Sequence, residues 1–180
     1  MQENVNDPIA LLRDIERRAQ GDLSASASEQ PAGDVWRGIG FSVGDRRLVT
    51  SMADINEVMH LPKLARVPGA KDWLMGIANL RGALLPVMNL HGFLRGHPAA
   101  LDRDARVLVI EKDEILSGLA VEEVFGVKHF LDEQRLPDAA ASEGWLAPYV
   151  VGSFHAAEQT WEIFDVHALI SAPAFMQVAA

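Results

Sequence analysis

The chain has 180 residues, 49% of them apolar and 23% charged, and its formal net charge is −9. Nucleic acids and anionic membranes are recognised through basic patches, so this charge argues against both as partners. The sequence contains no cysteine, which excludes disulfides and thiolate chemistry. No apolar run approaches the roughly 20 residues of a membrane span, and the N-terminus lacks the pattern of a signal peptide. We therefore expect a cytoplasmic globular protein that does not insert into the membrane.

The first 35 residues predict an amphipathic helix followed by a linker. Asp7 can cap the N-terminus of the helix, and apolar residues such as Leu12 and Ile15 form a stripe along it. Residues 21–34 are rich in Ser, Ala, Gly and Pro, a composition typical of linkers. The predicted organisation is a tethered helix and linker at residues 1–35, a domain at residues 36–171 and a C-terminal tail at residues 172–180.

Beyond the linker, the hydrophobic pattern has a period of two, which is the period of β-strands. Apolar residues alternate through residues 38–43, Gly44 and Asp45 offer a tight turn, and residues 48–52 form the return strand. Residues 106–111 are a short apolar run, consistent with a strand that is covered on both faces. Many short strands with turns between them favour small barrels over an α/β sheet. The predicted fold class is therefore mostly β.

A second hairpin is predicted at residues 76–90, which read GIANLRGALLPVMNL. We expect Asn79 and Arg81 on one face of its first strand, because side chains alternate with a period of two. Gly82 supplies the conformational freedom of the turn. Pro86 lacks an amide hydrogen, so its strand is expected at a sheet edge or beside a bulge.

The sequence also contains an internal repeat. Six positions recur 76 residues later with similar residue types: Trp73, Gly76, Asn89, Leu90, His91 and Leu94 match Tyr149, Gly152, Asp165, Val166, His167 and Ile170. Upstream, residues 55–58 match residues 121–124 at an offset of 66, so the second copy carries an insertion between positions 124 and 149. Chance similarity of short apolar strings is the alternative. The shared order favours two copies of one unit, each ending in a short helix capped by Asn or Asp.

The sequence offers few features of a catalytic or metal-binding site. The six histidines form no HxH or HxxxH pair, and GxSxG, GxxxxGK[ST] and GxGxxG motifs are absent. Glu122 and Glu123 would point to opposite faces of a strand, which is a poor arrangement for acid–base catalysis. We therefore predict no enzyme activity, no metal and no cofactor. Asn79 and Arg81 interrupt an apolar strand with polar groups, which indicates either a recognition site or an arginine that merely solvates a turn.

The segment GIANLRGALLPVMNL resembles the GVINLRGxVxPVIDL signature of the CheW family, the adaptors that couple chemoreceptors to the histidine kinase CheA. Further matches extend this resemblance over about residues 36–171. The resemblance implies a fold of two five-stranded SH3-like barrels that share a core. Asn89 departs from the family pattern, which has Asp there, and Glu122 stands where Asp is common. The long amphipathic N-terminal segment, residues 36–41 and residues 124–130 are similar to the branch that serves type IV pili in twitching motility.

By position, the resemblance implies two interaction sites. The residues implied to contact the regulatory domain of a CheA-like kinase are Ile55, Glu57 and Val58. The residues implied to lie near the groove for the cytoplasmic tip of a chemoreceptor are Gly76, Asn79, Leu80, Arg81 and Gly82. The implied function is a non-enzymatic adaptor, recruited to receptor arrays at the inner membrane, that transmits signals by holding receptor and kinase together. A flagellar chemotaxis adaptor is the alternative. A small-molecule-binding β-barrel is a third hypothesis, for which the sequence offers only Asn79, Arg81 and scattered histidines.

Overall fold

The computed structural model describes residues 35–112, 115–136 and 144–177. The predicted N-terminal helix and its linker lie outside these residues. In the part of the chain that is described, no helix is long and apolar enough to cross a membrane.

The described residues form eleven strands and three short α-helices. The strands are β1 (Val35–Val43), β2 (Arg46–Ser51), β3 (Glu57–His60), β4 (Leu74–Leu80), β5 (Ala83–Asn89), β6 (Arg106–Lys112), β7 (Ile115–Val121), β8 (Glu123–Leu131), β9 (Arg135–Leu136), β10 (Val150–Ala156) and β11 (Gln159–Phe164). The helices are α1 (Leu90–Arg95), α2 (Val166–Ser171) and α3 (Pro173–Met176), and 3-10 helices occur at Met52–Asp54, Asp132–Gln134 and Gly144–Tyr149. The predicted mostly β class is confirmed.

The strands form two sheets that exchange elements between the two sequence repeats. The six-stranded sheet has the order β8-β1-β2-β11-β10-β9, and the five-stranded sheet has the order β3-β6-β7-β5-β4. The strands β6, β7, β8, β10 and β11 are the second-repeat counterparts of β1 to β5, so the shared five strands follow the same order in both sheets. Each sheet therefore takes its first hairpin from one repeat and three further strands from the other repeat, and the six-stranded sheet also contains β9. The junctions are parallel in both cases, between β2 and β11 and between β5 and β7.

Each sheet curls around its own small core. In the six-stranded sheet, the ring of Phe130 on β8 stacks on Phe154 of β10 with centroids 4.5 Å apart, although three strands lie between them in the sheet order. Val49, Trp161 and Ile163 complete this core. The core of the five-stranded sheet is built from the buried residues Ala78, Leu85, Val87, Val107, Val109 and Ala120. We refer to the two sheets as the six-stranded and the five-stranded barrel.

A third, larger core lies between the barrels. Leu108 and Ile110 of β6 face this shared core together with Phe41 of the first hairpin, whereas Val107 and Val109 face the core of the five-stranded barrel. The prediction that residues 106–111 form a strand covered on both faces is therefore confirmed. The expectation of two barrels that share a core is also confirmed. The chain continues past residue 171 into α3, whose Phe175 is buried in the shared core against Phe93.

The parallel junction of the six-stranded barrel carries an ion pair between a half-exposed arginine and a buried glutamate. Arg46 Nε donates to Glu162 Oε2 at 2.8 Å, and Arg46 Nη2 donates to Glu162 Oε1. Glu162 is buried, and this hydrogen bond raises the pKa of Arg46 above its ordinary value. Because a bidentate arginine–carboxylate pair is planar, it fixes the orientation of β2 relative to β11.

Pro86 occupies the position that its missing amide hydrogen requires. Its strand, β5, is an interior strand between β7 and β4. However, the ladder between β5 and β7 joins residues 87–89 to residues 118–120, and the bulge of β4 lies between Leu74 and Gly76, close to the pairing of Pro86 with Ile77. Ile77 exchanges its two backbone hydrogen bonds with Ala65, so its pairing with Pro86 needs no amide hydrogen from Pro86. The expectation is therefore met both by the neighbouring bulge and by a locally unpaired position before the ladder with β7.

The predicted helix caps are both present, and they differ in one contact. Asp165 Oδ1 accepts from the amides of His167 and Ala168 at the start of α2. Asn89 Oδ1 accepts from the amide of Gly92 at 2.8 Å, and Asn89 Nδ2 also donates to the carbonyl of Ala99 at 3.0 Å. A carboxylate could not make this second bond, because it has no hydrogen to donate. The bond to Ala99 therefore requires an amide at position 89.

We expect Asn89→Asp to lower the free energy of unfolding by about 1 kcal/mol, because the half-buried carbonyl of Ala99 then faces an acceptor. The matched exchange Asp165→Asn keeps both capping bonds of α2 and should cost less. Urea denaturation of the two variants measures the difference. Equal costs would mean that the bond to Ala99 contributes nothing to stability.

Candidate functional site

The residues predicted to contact the kinase lie where the chain enters the five-stranded barrel. Ile55 follows the 3-10 helix Met52–Asp54 and packs partly against the shared core. Glu57 and Val58 begin β3, which is an edge strand of its sheet. Glu57 is half-buried, and Val58 is 39% exposed. This corner therefore offers an apolar and an acidic side chain beside an open strand edge.

Asn56 fixes the corner to the hairpin of the other repeat. The backbone amide of Asn56 donates to the carbonyl of Val109 at 2.9 Å. Its side chain accepts from the amide of Glu111 at 3.2 Å and donates to Glu111 Oε2 at 3.2 Å. In the second repeat, Glu122 stands at the equivalent position and accepts from the amide of Gly44 at 3.2 Å. The same contact thus holds the corner in both barrels, although the residue types differ.

The residues predicted to contact the receptor surround the turn between β4 and β5. Arg81 and Gly82 form this two-residue turn with φ of 51° and 94°, and Asn79 Oδ1 accepts from the amide of Gly82 at 2.9 Å. The expectation that Arg81 shares a strand face with Asn79 is wrong, because Arg81 lies in the turn. Positive φ at both central residues suits the right-handed twist of a hairpin. The bond from Asn79 stabilises that turn over a continued strand.

The structure brings the two predicted interaction sites together. Arg81 Nη2 lies 2.8 Å from Glu57 Oε2, and the two side chains are 78% and 32% exposed. Glu57 lies on β3 and Arg81 directly follows β4. These two strands lie at opposite ends of the sheet order, so the pair joins the two edges of the five-stranded barrel. An ion pair as exposed as this one contributes at most about 1 kcal/mol to stability. Its main effect is to orient the turn relative to the corner.

Gly76 and Leu80 are less accessible than the other predicted receptor contacts. Gly76 is buried with φ of 145°, and a Cβ there would lie 2.5 Å from the carbonyl oxygen of Ala65. This close approach lets Ala65 pair with Ile77 through two backbone hydrogen bonds of 2.9 Å. Leu80 packs partly against the core of the five-stranded barrel. The exposed residues of the predicted set are Asn79, Arg81 and Gly82.

Leu84 is not among the candidate residues that the sequence indicates. Its side chain is 70% exposed, and it lies directly across the hairpin from Asn79. The repeat contained a signal for this position, because the residue 76 positions later is the polar Thr160. An apolar residue whose repeat counterpart is polar is expected on the surface, where a large exposed apolar side chain can form part of an interface.

The arrangement does not resemble a catalytic or metal site. Among the described residues, no group of three or more His, Asp or Glu side chains is placed to hold a metal ion. Asn79 and Arg81 project from an exposed turn and not into a concave pocket, so they do not support the small-molecule hypothesis. The site is suited to binding another macromolecule.

Residues 37–174 match the family model of the CheW-like domain. The chain belongs to the CheW family. Proteins of the CheW family are non-enzymatic adaptors, so the prediction that the chain is not an enzyme is confirmed. The CheW match spans both repeats, in agreement with the strand exchange that makes them one unit.

Similar CheW-family proteins include several from chemosensory systems. The chain is 40% identical over 176 residues to Protein PilI of Pseudomonas aeruginosa, covering 98% of both chains. It is 26% identical over 111 residues to the chemotaxis protein CheW of Helicobacter pylori, covering 62% of this chain and 67% of that protein. The crystal structure of the scaffolding protein TtCheW from Thermoanaerobacter tengcongensis has the same fold, with a TM-score of 0.67 at 20% identity over 78% of this chain and 96% of that chain.

We expect Gly76→Ala to destabilise the CheW domain strongly, because the new methyl group would collide with backbone at Ala65 and cannot be relieved by a side-chain rotation. Gly69→Ala is the matched control, since Gly69 also has positive φ but has open space around it. Its cost should be that of the backbone conformation alone, about 1–2 kcal/mol. Thermal unfolding measures both variants, and a Gly76→Ala protein as stable as the control would refute the steric account.

Proposed function

We propose that this CheW-family chain couples the cytoplasmic tip of a chemoreceptor to the regulatory domain of a CheA-type histidine kinase. The proposed setting is the chemosensory system of type IV pili, with the adaptor in the cytoplasm at receptor arrays of the inner membrane. The similarity to PilI over nearly the whole chain supports this branch over the flagellar one.

The ion pair between Glu57 and Arg81 is the observation that carries the proposal. It joins the corner proposed for the kinase to the turn proposed for the receptor, so both partners would bind at one end of the five-stranded barrel. Exposed apolar side chains, Val58 at the corner and Leu84 beside the turn, supply contact area. The charged pair between them supplies register and partner choice.

Two partners at adjacent sites can influence each other without any chemical step. A receptor that displaces the side chain of Arg81 also changes the surroundings of Glu57, and therefore the surface offered to the kinase. The effect on the kinase is limited by the difference in free energy with which the receptor binds the two arrangements. The adaptor would thus act as a scaffold whose conformation depends on both partners.

Binding measurements with purified partners test the proposal. The full chain is titrated with the regulatory domain of its cognate CheA-like kinase and, separately, with a peptide or coiled-coil fusion of the receptor tip. We expect binding to both and a ternary complex when they are mixed. Failure of the folded protein to bind either partner would contradict the proposal. Loss of twitching without loss of swimming in a deletion strain would identify the pilus branch.

We expect Ile55→Asp to weaken kinase binding by at least tenfold, because it places a charge in an apolar contact. Val151→Asp is the matched control, since Val151 is 51% exposed on β10 of the other barrel. Isothermal titration with the kinase domain measures both variants. If Ile55→Asp binds as tightly as the control, the corner is not part of the kinase interface.

We expect Arg81→Ala to weaken binding of the receptor tip while the melting temperature stays nearly unchanged, because the lost ion pair is exposed. Arg103→Ala, at another exposed arginine, serves as the control. Glu57→Ala separates the two possible causes. If Arg81 contacts the receptor directly, Arg81→Ala has the larger effect on receptor affinity. A large drop in melting temperature for Arg81→Ala would instead make Arg81 a structural residue.

A further inference from the structure

The chain crosses between the barrels in two places, and the two crossovers differ in length. The first leaves the six-stranded barrel after Ser51 and enters the five-stranded barrel at Glu57, with residues 52–56 between them. All five of these residues are exposed or half-buried. The second crossover has the single residue Glu122 between β7 and β8. The first crossover is therefore longer and less packed, and it leads directly into the corner proposed for the kinase.

A contact with α2 holds the middle of the first crossover. His167 Nε2 lies 3.1 Å from Asp54 Oδ1. Helix α2 follows β11 of the six-stranded barrel and is anchored in the shared core by the buried side chains of Val166, Leu169 and Ile170. Near the ends of the crossover, Ser51 Oγ accepts from the amide of Ala53, and Asn56 bonds to β6. The contact with His167 thus ties an exposed segment to a buried helix.

The contact is specific to the first crossover. His91 is the repeat counterpart of His167, but its Nδ1 lies 3.1 Å from the carbonyl oxygen of His97 in the loop that follows α1. Asp54 has no counterpart in the second repeat, because β7 ends at Val121 and Glu122 is the only residue before β8. Barrel packing therefore does not require this pair, because the second barrel forms without it.

We infer that His167 is a positioning residue for the kinase-binding corner and acts through Asp54. Asp54 is the last residue of the 3-10 helix, and Ile55 follows it with its amide bonded to the carbonyl of Met52 at 3.4 Å. Holding Asp54 therefore holds the backbone that presents Ile55. A partner that binds Ile55 meets a preorganised segment, which lowers the entropic cost of binding. This inference rests on the proposed function, since it concerns the same kinase interface.

The test is a double-mutant cycle read by two binding assays. We expect Asp54→Ala and His167→Phe each to weaken binding of the kinase regulatory domain roughly three- to tenfold, as expected for one lost charged or neutral hydrogen bond. The double variant should bind no more weakly than either single variant. His167→Gln retains a donor and should bind nearly as tightly as the unmodified chain. Affinity for the receptor tip should be unchanged in all four variants.

His155→Phe is the control for loss of a histidine, since His155 lies exposed on β10 and contacts Thr160. The inference is wrong if Asp54→Ala and His167→Phe bind the kinase domain as tightly as this control while Ile55→Asp does not bind. It is also wrong if these variants lose binding to both the kinase domain and the receptor tip and have a lower melting temperature, because the pair of Asp54 and His167 would then be structural. If the unmodified chain does not bind the kinase domain, the proposed function itself fails.

Discussion

The exchange of hairpins between the two repeats is the constraint on which the rest of the structure depends. Neither repeat can close a barrel alone, because each barrel needs a hairpin from one repeat and three strands from the other. The exchange also creates the shared core, since the two hairpins face each other through residues such as Phe41 and Leu108. The exchange also requires a crossover segment that leads from each hairpin to the other barrel. The corner before β3 lies at the end of one such crossover.

Local elements of this fold could be predicted from the sequence, whereas their pairing could not. Alternating apolar residues located the first hairpin, and the continuous run in β6 correctly indicated burial on both faces. Self-comparison identified which segments are alike, but similarity does not say which segments pair. The parallel contact of β2 with β11 joins residues more than one hundred positions apart. It is stabilised by Arg46 and Glu162, which the sequence pattern does not connect.

The candidate site shows the same division between local and long-range information. The candidate receptor contacts could be found from the signature segment. The position of Arg81 could not, because a period of two extends the strand one residue too far. The hydrogen bond that Asn79 Oδ1 accepts from the amide of Gly82 stabilises a turn at this position instead. The proximity of Glu57 and Arg81 was also not readable, because it depends on the curvature of a whole barrel.

The weakness of the pair between Glu57 and Arg81 suits an adaptor better than a strong pair would. In the pair of Arg46 and Glu162 the carboxylate is buried, so breaking that pair would leave a buried charge without compensation. Breaking the exposed pair costs at most about 1 kcal/mol, because water solvates both groups. A carboxylate on one partner can therefore replace Glu57 in the ion pair with Arg81, and a cation on the other partner can replace Arg81 in the ion pair with Glu57. In the proposed adaptor, each exchange changes the charge that the other partner meets, which couples two binding events at little cost to the fold.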